Sequence, residues 1–267
     1  MTAVRFENVR FSYPSGVEAL HGVSFEVPTG QRLAIVGQNG AGKTTLVRHL
    51  NGIFQPTSGS VYVAATATTG RAIAELAASV GYVFQNPDEQ IFASTVIADV
   101  EFGPRNLGCS ADEARSRAMA SLATVGLAAE ADTHPLHLSL SERKRVALAG
   151  VLAMQTPIVV LDEPTTGQDA GGVAMVAGVV EALASAGRTV IAITHDMDFA
   201  AEHFDRVVVM AKGEVLVDGA PATVFGEADA LARAAVEPPQ LFRLAAHLGW
   251  PDRPLTGEGF VDAFERR

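Results

Sequence analysis

Cysteine is nearly absent from this 267-residue chain: Cys109 stands alone, which excludes an intrachain disulfide and suits a reducing compartment. Tryptophan is also single, but 13 phenylalanines and a hydrophobic fraction of 48% supply apolar surface for a sizeable core and argue against disorder. No basic flank leads into an apolar run in Met1-Thr2-Ala3-Val4-Arg5-Phe6-Glu7, so no signal peptide is expected. Long hydrophobic runs are lacking as well. The most apolar stretch, Gly171 to Gly187, is interrupted by Glu181 and several glycines, short of the roughly 18 unbroken apolar residues that a membrane span needs. If the protein works at a membrane, other chains must carry it there. Positive charge is also scarce, with 20 Lys and Arg against 30 Asp and Glu. The resulting net charge of −10 argues against a dedicated nucleic-acid binder, whose phosphate contacts need Lys and Arg.

What is present is an alternation of strand and helix signals. Val4, Phe6 and Val9, then Val23, Phe25 and Val27, then Leu33 to Val36 read as strands, with turns at Ser15-Gly16 and Pro28-Thr29-Gly30. A helix is expected from about Gly42 to Leu50, and further strands at Val61 to Val63 and Val80 to Phe84. From about Pro87 to Ala153 the chain reads as mostly helical, notably at Ala111 to Val125 and Glu142 to Met154. Ile158 to Leu161, Val190 to Ile193 and Val207 to Met210 read as strands, with a helix near Val173 to Ala186. Strand, crossover helix and strand in alternation imply a parallel sheet buried on both faces. Pro238-Pro239 marks a break before a tail with a short helix near Leu241 to Leu248.

Gly37-Gln38-Asn39-Gly40-Ala41-Gly42-Lys43-Thr44-Thr45 satisfies the phosphate-loop pattern, and it follows an apolar strand and opens a helix. Glycines permit a tight loop whose backbone N–H groups point inward around a phosphate, and the helix N-terminus adds its partial positive charge. Lys43 would reach the β and γ phosphates of ATP, and the Thr44 hydroxyl would bind Mg²⁺. The bland alternative, an ordinary glycine turn, does not explain the strand before it and the helix after it.

Ile158 to Leu161 deliver Asp162 and Glu163 to the carboxyl end of a buried strand, where ligands of open α/β sheets bind. Asp162 would hold Mg²⁺, usually through water, and Glu163 would activate the attacking water as general base. His195 and Gln85 also follow strands that can lie beside the phosphate loop, although a lone His or Gln at a strand end is more often plain surface.

With Leu138-Ser139-Leu140-Ser141-Glu142 between Gln85 and Asp162, these segments stand in the order found in the ATP-binding-cassette (ABC) ATPases, which the chain resembles over about residues 3 to 225. The resemblance implies an α/β P-loop core with an N-terminal antiparallel β subdomain and a helical subdomain at about residues 87–153. It makes residues 1–225 the nucleotide-binding domain and 226–267 a C-terminal extension for pairing or interaction. It implies further that Tyr13 stacks on adenine and that Gln85 touches Mg²⁺ and reports nucleotide state to a membrane subunit. Asp169 would end the loop that crosses a dimer interface, and His195 would contact the γ-phosphate. Such domains work as head-to-tail pairs, each ATP lying between one chain's phosphate loop and the other's signature, here Ser139, Leu140, Ser141 and Glu142. Within the family, Phe84-Gln85-Asn86-Pro87-Asp88-Glu89-Gln90-Ile91-Phe92 and the tail are similar to the ATPase subunits of energy-coupling factor importers of vitamins or transition-metal ions. The implied partners are a second ABC ATPase, a transmembrane scaffold subunit and a small substrate-binding membrane protein, at the cytoplasmic face of the cell membrane.

The signature departs from the family's Leu-Ser-Gly-Gly-Gln. Leu140 adds bulk where backbone approaches phosphate, and Glu142 sets a negative charge near a polyanion, with Arg143, Lys144 and Arg145 either offsetting it or forming a solvated helix face. Gly167 and Gln168 also differ from the usual residues before the interface aspartate. These departures suggest an asymmetric heterodimer in which the partner's ATP turns over slowly, against a homodimer that tolerates the change at both sites. Two other functions stay open: a regulatory nucleotide-binding subunit with little hydrolysis, and the ATPase of another ABC transporter class. A DNA-repair ATPase is disfavoured, because the 119 positions from Lys43 to Asp162 hold no sustained heptads.

Overall fold

The computed structural model describes residues 1–267. β1 (Thr2–Ser12) and β2 (Glu18–Pro28) form an antiparallel hairpin. β3 (Arg32–Val36) leads through the glycine loop into α1 (Lys43–Val47). β4 (Ser58–Val63) and β5 (Thr66–Ala67) then complete a four-stranded antiparallel sheet in the order β2-β1-β4-β5. α2 (Ile73–Ala77) precedes β6 (Val80–Val83), after which α3 (Val96–Asn106), α4 (Ala111–Thr124) and α5 (Leu140–Met154) pack on one another.

The second half runs β7 (Ile158–Asp162), α6 (Ala170–Ser185), β8 (Thr189–Ile193), α7 (Met197–His203), β9 (Arg206–Ala211) and β10 (Glu214–Gly219). Its strands join β3 and β6 in a six-stranded sheet ordered β10-β9-β3-β8-β7-β6. All neighbours pair in parallel except β10, which returns antiparallel along the edge of β9. The sheet is therefore mixed rather than wholly parallel. β10 was not expected from the sequence, though Val215 and Val217 alternate after the Lys212-Gly213 turn.

Period-two alternation splits the central strands between two cores. Leu33, Ile35, Ile158, Val160, Ile191 and Ile193 face the antiparallel sheet, whereas Ala34, Val36, Val159, Leu161, Val190 and Ala192 face the helices. Burying each such Val, Leu or Ile side chain stabilises by about 1.5–3 kcal/mol, so these strands are apolar on both faces and end abruptly where polar residues begin.

α8 (Pro221–Val224) and α9 (Ala228–Ala234), neither expected from the sequence, precede Pro238-Pro239; the tail beyond it holds the expected α10 (Gln240–His247) and one more helix, α11 (Gly257–Glu265). Leu231, Ala234 and Phe242 belong to the larger core, so α9 and α10 are anchored on the body of the molecule. Beyond them Trp250 stacks on Phe260 at 4.8 Å, while Leu244, Leu248, Val261 and Phe264 stay exposed.

Candidate functional site

β3, β8, β7 and β6 are adjacent and parallel, so their carboxyl ends open on one edge of the sheet. That register collects the glycine loop after Val36, His195 after Ile193, Glu163 after Asp162, and Gln85 after Val83. One cleft is lined by Asn39, Gly40, Gly42, Lys43, Thr44, Thr45, Gln85 and Glu163. A neighbouring one continues past Gly37, Gln38 and His195.

The loop's glycines meet a geometric demand. Gly37 has φ 147°, and a Cβ there would lie 2.1 Å from the Met210 carbonyl oxygen; Gly42 has φ 96° and would place a Cβ 2.8 Å from the Ala19 carbonyl oxygen. Only glycine fits either position without moving backbone. The Lys43 ammonium folds over the loop and donates to the carbonyls of Gly37 (2.6 Å) and Gln38 (3.1 Å). Burial pulls Lys43 below the ordinary lysine range, opposed by the carboxylates of Glu163 and Asp162.

Asp162 is buried, and both its oxygens are engaged: Thr44 Oγ1 donates to Oδ1 at 3.3 Å, and Tyr82 Oη donates to Oδ2 at 2.8 Å. Burial pushes this carboxyl up, and the two hydroxyls pull it back. Nothing in the apolar strand Val80–Val83 singles out Tyr82 as a partner of Asp162. The cross-strand register does, by pairing Tyr82 with Val160 two residues earlier.

Glu163 sits at φ 53°, a left-handed conformation that costs a non-glycine residue on the order of 1 kcal/mol and clusters at functional sites. Its Oε2 lies 2.6 Å from His195 Nδ1 and accepts from Thr166 Oγ1 at 3.3 Å, leaving Oε1 without a protein partner. The Glu163 side chain is 8% exposed and that of His195 63%, so the imidazole reaches outward from a buried carboxylate. Tyr13 packs edge-on against Phe11 and Phe54, and its hydroxyl is 2.7 Å from Thr45 Oγ1 at the loop's end. Gln85 is exposed at the cleft.

The segment 138–142 lines neither cleft and stands at the start of α5. Ser139 is the N-cap of that helix in a full capping box: its Oγ accepts from the Glu142 N–H (3.3 Å), and the Glu142 carboxylate accepts from the Ser139 N–H and Oγ, both at 2.8 Å. The Glu142 charge is therefore directed onto its own helix start, and those bonds hold its carboxyl below the ordinary range. Leu140 occupies the first helical position without backbone strain, its side chain half exposed. The three basic residues that follow do not form a solvated face. Arg143 pairs with Asp88 at 3.3 Å, Lys144 points into the molecule, and Arg145 is half-buried. Asp169 caps α6 by accepting from the Gly172 N–H at 2.7 Å. Gln90, given no role in the sequence reading, ties Phe84 N–H to the Ala147 carbonyl and so links the segment around Gln85 to α5.

A phosphate loop, a paired Asp-Glu at the next strand end but one, and a capped signature helix define an ATPase cassette. Residues 20–166 match the ABC transporter family. The energy-coupling factor transporter ATP-binding protein EcfA of Methanocaldococcus jannaschii is 39% identical over 269 residues, covering 100% of this chain and 96% of its own. The structure of cbiO1 from Clostridium perfringens, part of the ABC transporter complex cbiONQ, is 35% identical with a TM-score of 0.77, over 93% of this chain and 99% of that one. A dimeric ATP-binding cassette in a post-hydrolysis state with ADP and Pi is 28% identical with a TM-score of 0.75, over 81% and 98% respectively. The chain belongs to the ABC transporter family, as one of its ATP-binding subunits.

Proposed function

We propose that this chain is the ATP-hydrolysing subunit of an energy-coupling factor importer for a vitamin or a transition-metal ion. The observation that carries the reading is the convergence, on four adjacent strand ends, of the phosphate loop, Asp162, Gln85 and the Glu163–His195 pair. Full-length similarity to EcfA supports the importer class.

In this reading Gly37 to Thr45 cradle the phosphates of ATP, and Lys43 exchanges the loop carbonyls for the β and γ phosphates. Glu163 accepts the proton of the attacking water on Oε1, while His195 Nδ1 orients the carboxylate through Oε2 and leaves Nε2 toward the γ-phosphate. The donors near the phosphates suit Mg²⁺: a hydroxyl (Thr44), a carboxylate (Asp162) and an amide oxygen (Gln85), with no cluster of three His, Cys, Asp or Glu to bind a metal on its own. Such a cation takes one or two carboxylates and completes its shell with water and phosphate oxygens, and when bound it neutralises charge on the β and γ phosphates.

The chain works as a nucleotide-sandwich dimer, peripherally on the cytoplasmic face of a membrane through a scaffold subunit, with a separate membrane protein binding the cargo. No helix is long and apolar enough to cross a membrane. Residues 1–225 form the nucleotide-binding unit and 226–267 a pairing extension. Ser139 spends its hydroxyl proton on Glu142, which withdraws a donor from the ATP of the facing subunit and favours the asymmetric pair. Glu142→Ala, which removes the acceptor that holds the Ser139 hydroxyl, accordingly raises turnover at that second site by up to about tenfold, since a hydrogen bond to a charged group is worth ~1.5 kcal/mol. An unchanged or lower rate in the assembled complex would dismiss the capped serine as the cause of slow turnover.

Membranes of the native cells, gently solubilised after tagging this chain, test the assignment. Co-purification of a second ABC ATPase and two small membrane proteins is expected. Recovery with soluble partners only would overturn the importer reading.

A further inference from the structure

Helix α5 begins at the signature and then runs alongside the segment from Asp162 to Asp169. Ser141 and Lys144 are three residues apart, so they share the helix face turned to that segment. Both are engaged there. Ser141 Oγ donates to Gln168 Oε1 at 2.7 Å, and Gln168 Nε2 donates back to the Ser141 carbonyl at 3.4 Å. A Cβ on Gly172 would come within 2.4 Å of Gln168 Oε1, so the glycine makes the room in which Gln168 sits. Two of the departures from the family pattern, at 141 and 168, are thus partners of each other.

Lys144 makes the second connection. Its ammonium donates to the Thr166 carbonyl at 2.7 Å and to the Glu163 carbonyl at 3.4 Å. Glu163 is the residue held at φ 53°, and Thr166 is the residue whose hydroxyl donates to Glu163 Oε2 at 3.3 Å. One cation therefore holds the general base by two routes, through its own main chain and through the hydroxyl that orients its carboxylate. Lys144 lines a small, half-open space with Asp162, Glu163, Leu148 and Gln168, and its two bonds are partly buried. Burial pulls its ammonium below the ordinary lysine range, with the carboxylates of Glu163 and Asp162 opposing.

We propose that Lys144 is a positioning residue for hydrolysis: it ties the backbone of Glu163 to the signature helix and fixes the carboxylate at the attacking water. The inference rests on the ATPase reading above and adds a residue that touches neither nucleotide nor cation. Because α5 also carries Ser139 at its start, a shift of the signature when it meets the facing subunit's ATP reaches Glu163 through the same ammonium.

The test is steady-state kinetics on the purified membrane complex carrying wild-type chain, Glu163→Gln, Lys144→Met and Lys144→Arg. Lys144→Met is expected to lower kcat about ten- to hundredfold, the range for a catalytic group misplaced by an ångström or less, with KM for ATP unchanged within about twofold. Lys144→Arg, which keeps a buried cation, restores most of kcat. Lys144→Gln carries the same expectation as Lys144→Met and replaces it if the methionine variant does not assemble. Wild-type kcat in the Met or Gln variant would overturn the inference. So would a loss of kcat that comes with an equal rise in KM and no rescue by arginine, the pattern of a merely structural residue. A wild-type complex that fails to turn over ATP would instead overturn the ATPase reading, and this inference with it.

Discussion

Replacing Glu163 with glutamine is expected to lower ATP turnover by about 10²- to 10⁴-fold, the usual contribution of a general base, while ATP still binds. Glutamine keeps the shape and can still hydrogen-bond His195 and Thr166, so the loop and its left-handed backbone survive. What it loses is the lone pair on Oε1 that takes the water's proton. Binding without hydrolysis leaves the dimer closed over its nucleotide, so the variant should accumulate as an ATP-bound pair on size-exclusion chromatography. Retained wild-type turnover would remove Glu163 from the role of base.

Lys43→Met acts one step earlier and gives the opposite pattern. Lys43 is 7% exposed, and its ammonium donates to two loop carbonyls. Methionine fills its volume but offers no donor to a polyanion. Each charge-assisted bond to phosphate is worth about 1.5–3 kcal/mol, so a loss of roughly tenfold or more in ATP affinity is expected by calorimetry. Binding unchanged within about twofold would contradict the phosphate-loop assignment. Together the two variants separate binding from chemistry: one holds ATP without splitting it, and the other fails to hold it.

The parts of the site that the sequence discloses are those whose chemistry demands local backbone. Gly37 and Gly42 stand where a Cβ collides with main chain, and Asp162 and Glu163 follow an apolar strand that both cores bury. Strand positions were legible for the same reason, because the unbroken apolar runs Leu33 to Val36 and Ile158 to Leu161 reflect burial on two sides. The Glu142 cap was legible but unread: Ser139-x-x-Glu142 before an alanine-rich helix is the capping-box pattern, and it explains a glutamate that otherwise looks misplaced. The contacts of Lys144, Tyr82 and Gln168 had no local signal. Each depends on tertiary placement across 19, 80 and 27 residues of sequence, and no periodicity within one element encodes that. β10 and α11 lie at the margins of the fold, β10 pairing along the edge of β9 and α11 leaving Val261 and Phe264 exposed, so neither carries the full burial that marks the central strands.

Each of these roles requires that the chain hydrolyse ATP while joined to membrane partners. The most direct measurement is the steady-state rate of phosphate release by the complex isolated with the wild-type chain, supplied with ATP and Mg²⁺. Turnover at a rate that Glu163→Gln abolishes is the predicted result. ATP bound to the wild-type complex without phosphate release from this chain's site would contradict the account and make the chain a regulatory nucleotide-binding subunit.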